Sequence, residues 1–309
     1  MLEGLRFAID NSPDNLLGGH HVIDFNNDAL GLHEKLSVIA AIVWMPPENF
    51  FDGLDNLKTI YALSAGVDQL LTHPGLPENV DIIRLRDAGM SSQMAEYVLY
   101  GTLRAHRKFH EFDIFQNGAN WQRGIEINGA SDTHVGILGA GVLATAAAQK
   151  LAHNGYKVTC WSQTKKPSSA GVEHCCGNDA LDELLKKSQV LVCLLPLTST
   201  TQSILNTTLF YSLPQGAYII NAARGQHLVD VDLLNAIDDG QISGALLDVF
   251  AIEPLNADHP FWKHSRITVT PHEAARSLVE ESVKQIVDNI AKTDNGEHTK
   301  GLINRSRGY

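Results

Sequence analysis

The sequence has 309 residues, 44% of them hydrophobic and 19% charged, with a formal net charge of −11. That apolar content excludes a disordered chain, and at roughly 150 residues per domain the length suggests two cores. An acidic chain without a basic stretch is a poor ligand for nucleic acid or an anionic membrane; neither is expected as a partner, and small anions held by local cations stay open.

The first hundred residues alternate short apolar runs with polar turns. Strands are predicted over Leu5–Ile9, Val38–Trp44, Thr59–Leu63 and Val80–Leu85, with a helix around Asn27–Leu36. Such alternation describes a small parallel α/β layer. Ser91-Ser92 then caps a long helix that keeps helical spacing to about Phe115. From Thr133 a regular strand–helix series begins. Its six predicted strands are His134–Leu138, Lys157–Trp161, Val190–Leu195, Ala217–Asn221, Gly244–Phe250 and Ile267–Thr270. Helices are predicted between them over Val142–His153, Asp179–Lys187, Asn206–Ser212 and Asp230–Asp238. Continuous apolar strands such as Val190–Leu195 suit a parallel sheet covered on both faces. A last helix, Ser277–Lys292, would return the chain to the first lobe.

The longest uncharged stretch, Ser188–Ala223, is interrupted by polar residues and Pro196 and cannot supply about 20 apolar residues for a membrane span. Met1–Arg6 has no signal-peptide layout, so a cytoplasmic location is expected. Cys160, Cys175, Cys176 and Cys193 form no C-x-x-C pair and are expected as free thiols. Among 14 histidines only His20-His21 are adjacent, and no metal site is expected.

The sharpest motif is Gly139-Ala140-Gly141-Val142-Leu143-Ala144, a G-x-G-x-x-A between a strand and a helix. Its first glycine permits the tight turn, and its second lets backbone approach a pyrophosphate over the helix N-terminus. An NAD-preferring site usually carries Asp or Glu about 20 residues on. Here the next strand ends Ser162-Gln163-Thr164-Lys165-Lys166, without a carboxylate. Ser162 can hydrogen-bond a 2′-phosphate and Lys165 or Lys166 can neutralise it, so NADPH is expected over NADH.

Three charged groups follow the later strands, where open α/β sheets place their ligands: Arg224, Glu253 and His272. With these in place the chain resembles the D-isomer-specific 2-hydroxyacid dehydrogenase family, and within it the bacterial glyoxylate/hydroxypyruvate reductase A type. The likeness rests on Val43-Trp44 with Pro46-Pro47, Ser64-Ala65-Gly66-Val67-Asp68, Gly89-Met90 before Gln93-Met94, and the glycine turn. It continues through Cys160-Trp161-Ser162, Leu194-Leu195-Pro196, Ala223-Arg224-Gly225, Asp248-Val249-Phe250, Glu253-Pro254-Leu255, Pro271-His272 and the ending Arg305–Tyr309.

The resemblance implies an α/β fold of two lobes. A doubly wound Rossmann cofactor domain (residues 100–277) would be inserted into a smaller flavodoxin-like α/β substrate domain (1–99, with 278–309 returning to it), and the lobes would close over a cleft. It implies reduction of glyoxylate to glycolate and of hydroxypyruvate to D-glycerate. His272 would be the general acid, Glu253 would hold its imidazole and favour the charged form, and Arg224 would fork the substrate carboxylate. Cofactor contacts would come from Gly139, Gly141, Val142, Leu143, Leu195, Pro196, Ala222, Ala223 and Asp248. Trp44 and the amides of Ala65, Gly66 and Val67 would meet substrate. A homodimer is implied, with Gln116–Ser131 as an arm.

Three departures stand out: Ala144 at the third motif position, Gln163 where the subgroup often has Arg, and Glu273 after His272. Turned toward the site, Glu273 would favour a charged imidazole or repel an anionic substrate; facing solvent, it would do neither. Two alternatives remain open. One is a bulkier 2-oxo acid, such as phenylpyruvate, as substrate. The other is a nicotinamide-sensing binding protein without turnover.

Overall fold

β-branched and aliphatic runs bounded by turns become strands here, and the computed structural model describes them over residues 31–167 and 169–308. The strand predicted over Leu5–Ile9 and residues 27–30 of the predicted first helix lie outside the described residues, as do His20 and His21. The described residues divide into two compact units, one within Met1–Gly89 and Ser277–Tyr309, the other Met90–Arg276.

The first unit opens with α1 (Leu32–Ser37), followed by β1 (Ala40–Val43), β2 (Thr59–Ala62), α2 (Asp68–Leu71) and β3 (Asp81–Arg84). The strands pair in parallel in the order β1-β2-β3. Every residue of β2 is buried, because both faces of this sheet are covered. Phe51, Leu54 and Leu57 pack with Ile60 and Ile82 on one face.

The second unit starts with α3 (Met90–His106) and α4 (Phe109–Asn117). These replace the single helix predicted to reach Phe115. The break is at Lys108, whose φ of 55° is left-handed and cannot continue an α-helix. Because α3 belongs whole to this unit, the boundary falls at Gly89/Met90 instead of at Leu99. Next come β4 (His134–Leu138), α5 (Val142–His153), β5 (Lys157–Ser162), β6 (Val172–Cys176), α6 (Asn178–Lys187) and β7 (Val190–Cys193). The series ends with α7 (Thr207–Tyr211), β8 (Ala217–Asn221), α8 (Asp230–Asp238), β9 (Ile242–Leu247) and β10 (Ile267–Val269).

All pairings are parallel, in the order β10-β9-β8-β7-β4-β5-β6. The sheet has seven strands where six were predicted. The addition is β6, an edge strand with only Val172 buried, so its sequence lacks an apolar run. The strand order reverses between β4 and β7, which puts a topological switch point at the glycine turn after β4.

The chain then forms α9 (Val279–Asp294). Val283, Ile286 and Ile290 of α9 cover Tyr61 and Ile83 on the other face of the three-stranded sheet. The tail runs along β3, with Arg84 donating its amide to Gly301 and Ile303 to Ile82.

Candidate active site

All the expected site residues of the second unit follow strands of its one parallel sheet, so they gather along the carboxyl edge. The turn after β4 begins at Gly139, with φ of 121°, where a Cβ would stand 2.7 Å from the Leu194 carbonyl oxygen. Only glycine fits there. Gly141 caps α5, and a Cβ on it would meet nothing within 4 Å. That open space lies at the start of a 12-residue helix with no acid in its first turn, which suits a pyrophosphate. Val142 is exposed and Leu143 half-buried at the same point, while Ala144 is buried against the sheet and tolerates the motif's third position.

Strand β5 ends at Ser162, and Lys165 and Lys166 stand exposed just beyond it. The Ser162 hydroxyl donates to the Thr164 carbonyl at 2.7 Å and pairs with His174 Nε2 at 3.1 Å. Burial, and then the nearby Lys166 charge, push the His174 imidazole below its ordinary range. This corner therefore carries cations and a hydroxyl at the place where an NAD site would carry an acid. His174 was not anticipated, because it comes from the unpredicted strand β6. After β7, Leu195 turns into the core and Pro196 is exposed.

After β8 the chain makes the turn Ala222-Ala223-Arg224. Buried Asn221 shapes it: its Oδ1 accepts from the Ala223 amide at 3.2 Å and its Nδ2 donates to the Arg224 carbonyl at 3.0 Å. Buried His227 faces the same carbonyl at 3.0 Å through Nδ1 and the Pro196 carbonyl at 3.3 Å through Nε2. The Arg224 guanidinium donates to the Ala223 carbonyl at 2.7 Å, which folds it back over the turn. Ala222 and Ala223 are buried.

After β9 and β10 lie the acid and the imidazole. Glu253 Oε1 accepts from the Phe250 amide at 2.9 Å, and its Oε2 lies 2.8 Å from His272 Nδ1. One oxygen is thus fixed by backbone while the other fixes the ring. The His272 side chain remains half exposed, and its Nε2 is the ring nitrogen directed away from Glu253. His272 has a φ of 59°, a conformation that costs a non-glycine residue energy and needs support. The support is Asp248, only 1% exposed. Its carbonyl accepts from the His272 amide at 2.8 Å. Its carboxylate accepts from Thr270 Oγ1 at 2.6 Å, from the Glu273 amide at 2.8 Å and from the Ala274 amide at 2.9 Å. Asp248, expected to face the cofactor, spends its carboxylate on the loop that carries His272.

Glu273 turns toward Arg276, with which it forms an ion pair; the guanidinium holds its carboxyl below the usual range. Of the two orientations left open by the sequence, the side chain takes the solvent-exposed one, paired within its own loop. The remaining expected residues belong to the first unit. Trp44 is half exposed after β1. Ala65, Gly66 and Val67 form the turn after β2, where Arg84 donates to the Ala65 carbonyl at 2.7 Å and Ser64 Oγ to the Gly66 carbonyl at 2.7 Å.

A glycine turn at the switch point of a doubly wound sheet, with Arg, Glu and His on the same edge, defines a nicotinamide-dependent oxidoreductase. Residues 99–274 match the NAD binding domain of the D-isomer specific 2-hydroxyacid dehydrogenases, and the chain belongs to that family. It is 45% identical over 274 residues, 87% of each chain, to glyoxylate/hydroxypyruvate reductase A of Yersinia enterocolitica, and 43% identical over the same span to that of Serratia proteamaculans. Its fold matches the crystal structure of an NADPH-dependent glyoxylate/hydroxypyruvate reductase from Sinorhizobium meliloti with NADP and sulfate. That match has a TM-score of 0.89 and 34% identity, covering 100% of this chain and 97% of the other. A Xanthobacter autotrophicus family member in complex with NADPH and MES matches with a TM-score of 0.86 and 35% identity, covering 100% and 95%.

Proposed function

We propose that this chain is an NADPH-dependent reductase of small 2-oxo acids, converting glyoxylate to glycolate and hydroxypyruvate to D-glycerate in the cytoplasm. The observation that carries the reading is the 2.8 Å pair of Glu253 and His272 on the ligand-binding edge of the sheet. Residues of this chain suit the cofactor: the open space at Gly141, the α5 N-terminus, and the hydroxyl and lysines after β5. NADPH, when bound, supplies the hydride that reduces the 2-oxo carbon. Arg224 binds the carboxylate through its fork of donors and orients the neighbouring carbonyl. His272 gives the proton from Nε2 to the carbonyl oxygen as that oxygen gains charge. Glu253 accepts from Nδ1, so the ring keeps its orientation and its donor points at substrate. One hydride and one proton turn the 2-oxo acid into the 2-hydroxy acid, and the same groups serve the reverse reaction.

The names of the relatives from Yersinia and Sinorhizobium support the substrates and the cofactor. A homodimer built through the second unit is part of the proposal. Its support is Trp121, 90% exposed within the expected arm, with Ile127, Phe109 and Phe112 also exposed nearby in sequence.

The test is NADPH and NADH oxidation followed with glyoxylate, hydroxypyruvate and phenylpyruvate. Turnover is expected with the two small acids, at a higher kcat/KM for NADPH. Activity confined to phenylpyruvate would overturn the substrate assignment, an equal or higher kcat/KM for NADH would overturn the cofactor assignment, and NADPH binding without turnover would overturn the enzyme.

A further inference from the structure

The loop that carries His272 is also held from helix α3. Helix α3 presents Gln93 and Tyr97, four residues apart and so on one face. Gln93 clasps the far end of the loop: its Nε2 donates to the Arg276 carbonyl at 2.8 Å, and its Oε1 accepts from the Arg276 amide at 3.3 Å. Tyr97 holds the near end, with its hydroxyl 2.7 Å from Thr270 Oγ1.

The direction of this second chain follows from its end. Thr270 has one hydroxyl proton, and it goes to the Asp248 carboxylate at 2.6 Å. Tyr97 must therefore donate to Thr270. Burial pushes the Tyr97 phenol well above its ordinary range, so it stays a donor. The series Tyr97, Thr270, Asp248 ends on the carboxylate that also receives the amides of Glu273 and Ala274, the two residues just after the crest where His272 sits at positive φ. Removing the first donor leaves Thr270 free to turn away, and with it the one side-chain donor to Asp248 Oδ1 among the described residues. The crest then has fewer restraints against relaxing to an ordinary backbone conformation.

We propose that Tyr97 is a positioning residue for His272, acting through Thr270 and Asp248 to hold the strained turn that aims the imidazole. The proposal rests on the reading of His272 as proton donor. It concerns kcat, because the chain touches neither the glycine turn nor the corner after β5, and a small misplacement of an acid costs rate more than binding.

The experiment compares Tyr97→Phe, Thr270→Val and Thr270→Ser in the full-length enzyme, below each variant's melting temperature. Tyr97→Phe and Thr270→Val are expected to lose roughly tenfold or more in kcat with glyoxylate. Their dissociation constants for NADPH should stay within about twofold. Thr270→Ser, which keeps the hydroxyl, should restore most of the wild-type kcat. His272→Asn is measured alongside. If His272→Asn is inactive while Tyr97→Phe and Thr270→Val turn over like the wild type, the positioning role is wrong and the proton-donor reading stands. If Thr270→Ser loses as much kcat as Thr270→Val, the hydroxyl chain is not the cause and the proposal is overturned. Wild-type turnover by His272→Asn would remove the ground from both readings.

Discussion

Arg224 shows how much of a functional side chain is its support. A guanidinium at the end of a strand has many rotamers, yet here its backbone turn is fixed by two fully buried polar residues, Asn221 and His227. Such groups are costly unless bonded, so their placement specifies the turn. Lysine keeps the charge and loses the planar fork. Arg224→Lys is expected to lower kcat/KM for glyoxylate by about a hundredfold, with NADPH affinity unchanged. Steady-state kinetics and a cofactor titration check this, and unchanged kcat/KM would remove Arg224 from substrate recognition. Arg224, Glu253 and His272 stand out in the sequence as candidates because they follow apolar strands, where α/β sheets bind ligands. Tyr97 and Thr270 were not. Their contact spans 173 positions, and a Tyr in a helix and a Thr ending a strand are individually unremarkable until the fold joins them. Asp248 was expected at the cofactor, and only the folded loop reveals the three donors on its carboxylate.

Strands with continuous apolar runs were readable because burial on both faces leaves no other composition open to them. Edge strand β6 and the break between α3 and α4 were hidden, because one is polar and the other is a backbone event at Lys108. Gly225 packs so closely that a Cβ would lie 1.8 Å from the Phe250 carbonyl carbon and 2.1 Å from the Ala251 nitrogen. No rotamer relieves a clash with backbone, so Gly225→Ala must part the Arg224 turn from the segment leading to Glu253. A loss of about 3 kcal/mol or more in urea unfolding is expected.

At the start of β4, His134 Nε2 lies 2.9 Å from Thr159 Oγ1, whose proton goes to Glu173 at 3.0 Å, so the ring is the donor to Thr159. Burial, helped by Lys187, holds this imidazole down at about 4 against an ordinary 6.5. The unfolded chain therefore takes up a proton that the folded one refuses, and stability falls as pH drops from 6.5 toward 4. His134→Gln removes that group, so the stability gap between wild type and variant should narrow between about pH 7 and about pH 4.5. A gap independent of pH would contradict the assignment.

The net charge of −11 made polyanions unexpected as partners and left small anions open. The structure gives that distinction a location: the α5 N-terminus, the lysines after β5 and Arg224 are local attractive points along one sheet edge in an otherwise acidic chain. The strand–helix rhythm changes near Thr133 in the sequence, while the two units part at Gly89/Met90, because α3 packs wholly within the second unit. The reading of the protein as a 2-oxo acid reductase comes down to one proton. The most direct test is the turnover of His272→Asn with NADPH and glyoxylate, set beside its dissociation constant for NADPH. A drop in kcat of between about a hundredfold and ten-thousandfold with unchanged cofactor affinity is expected. Turnover near the wild-type value would contradict it.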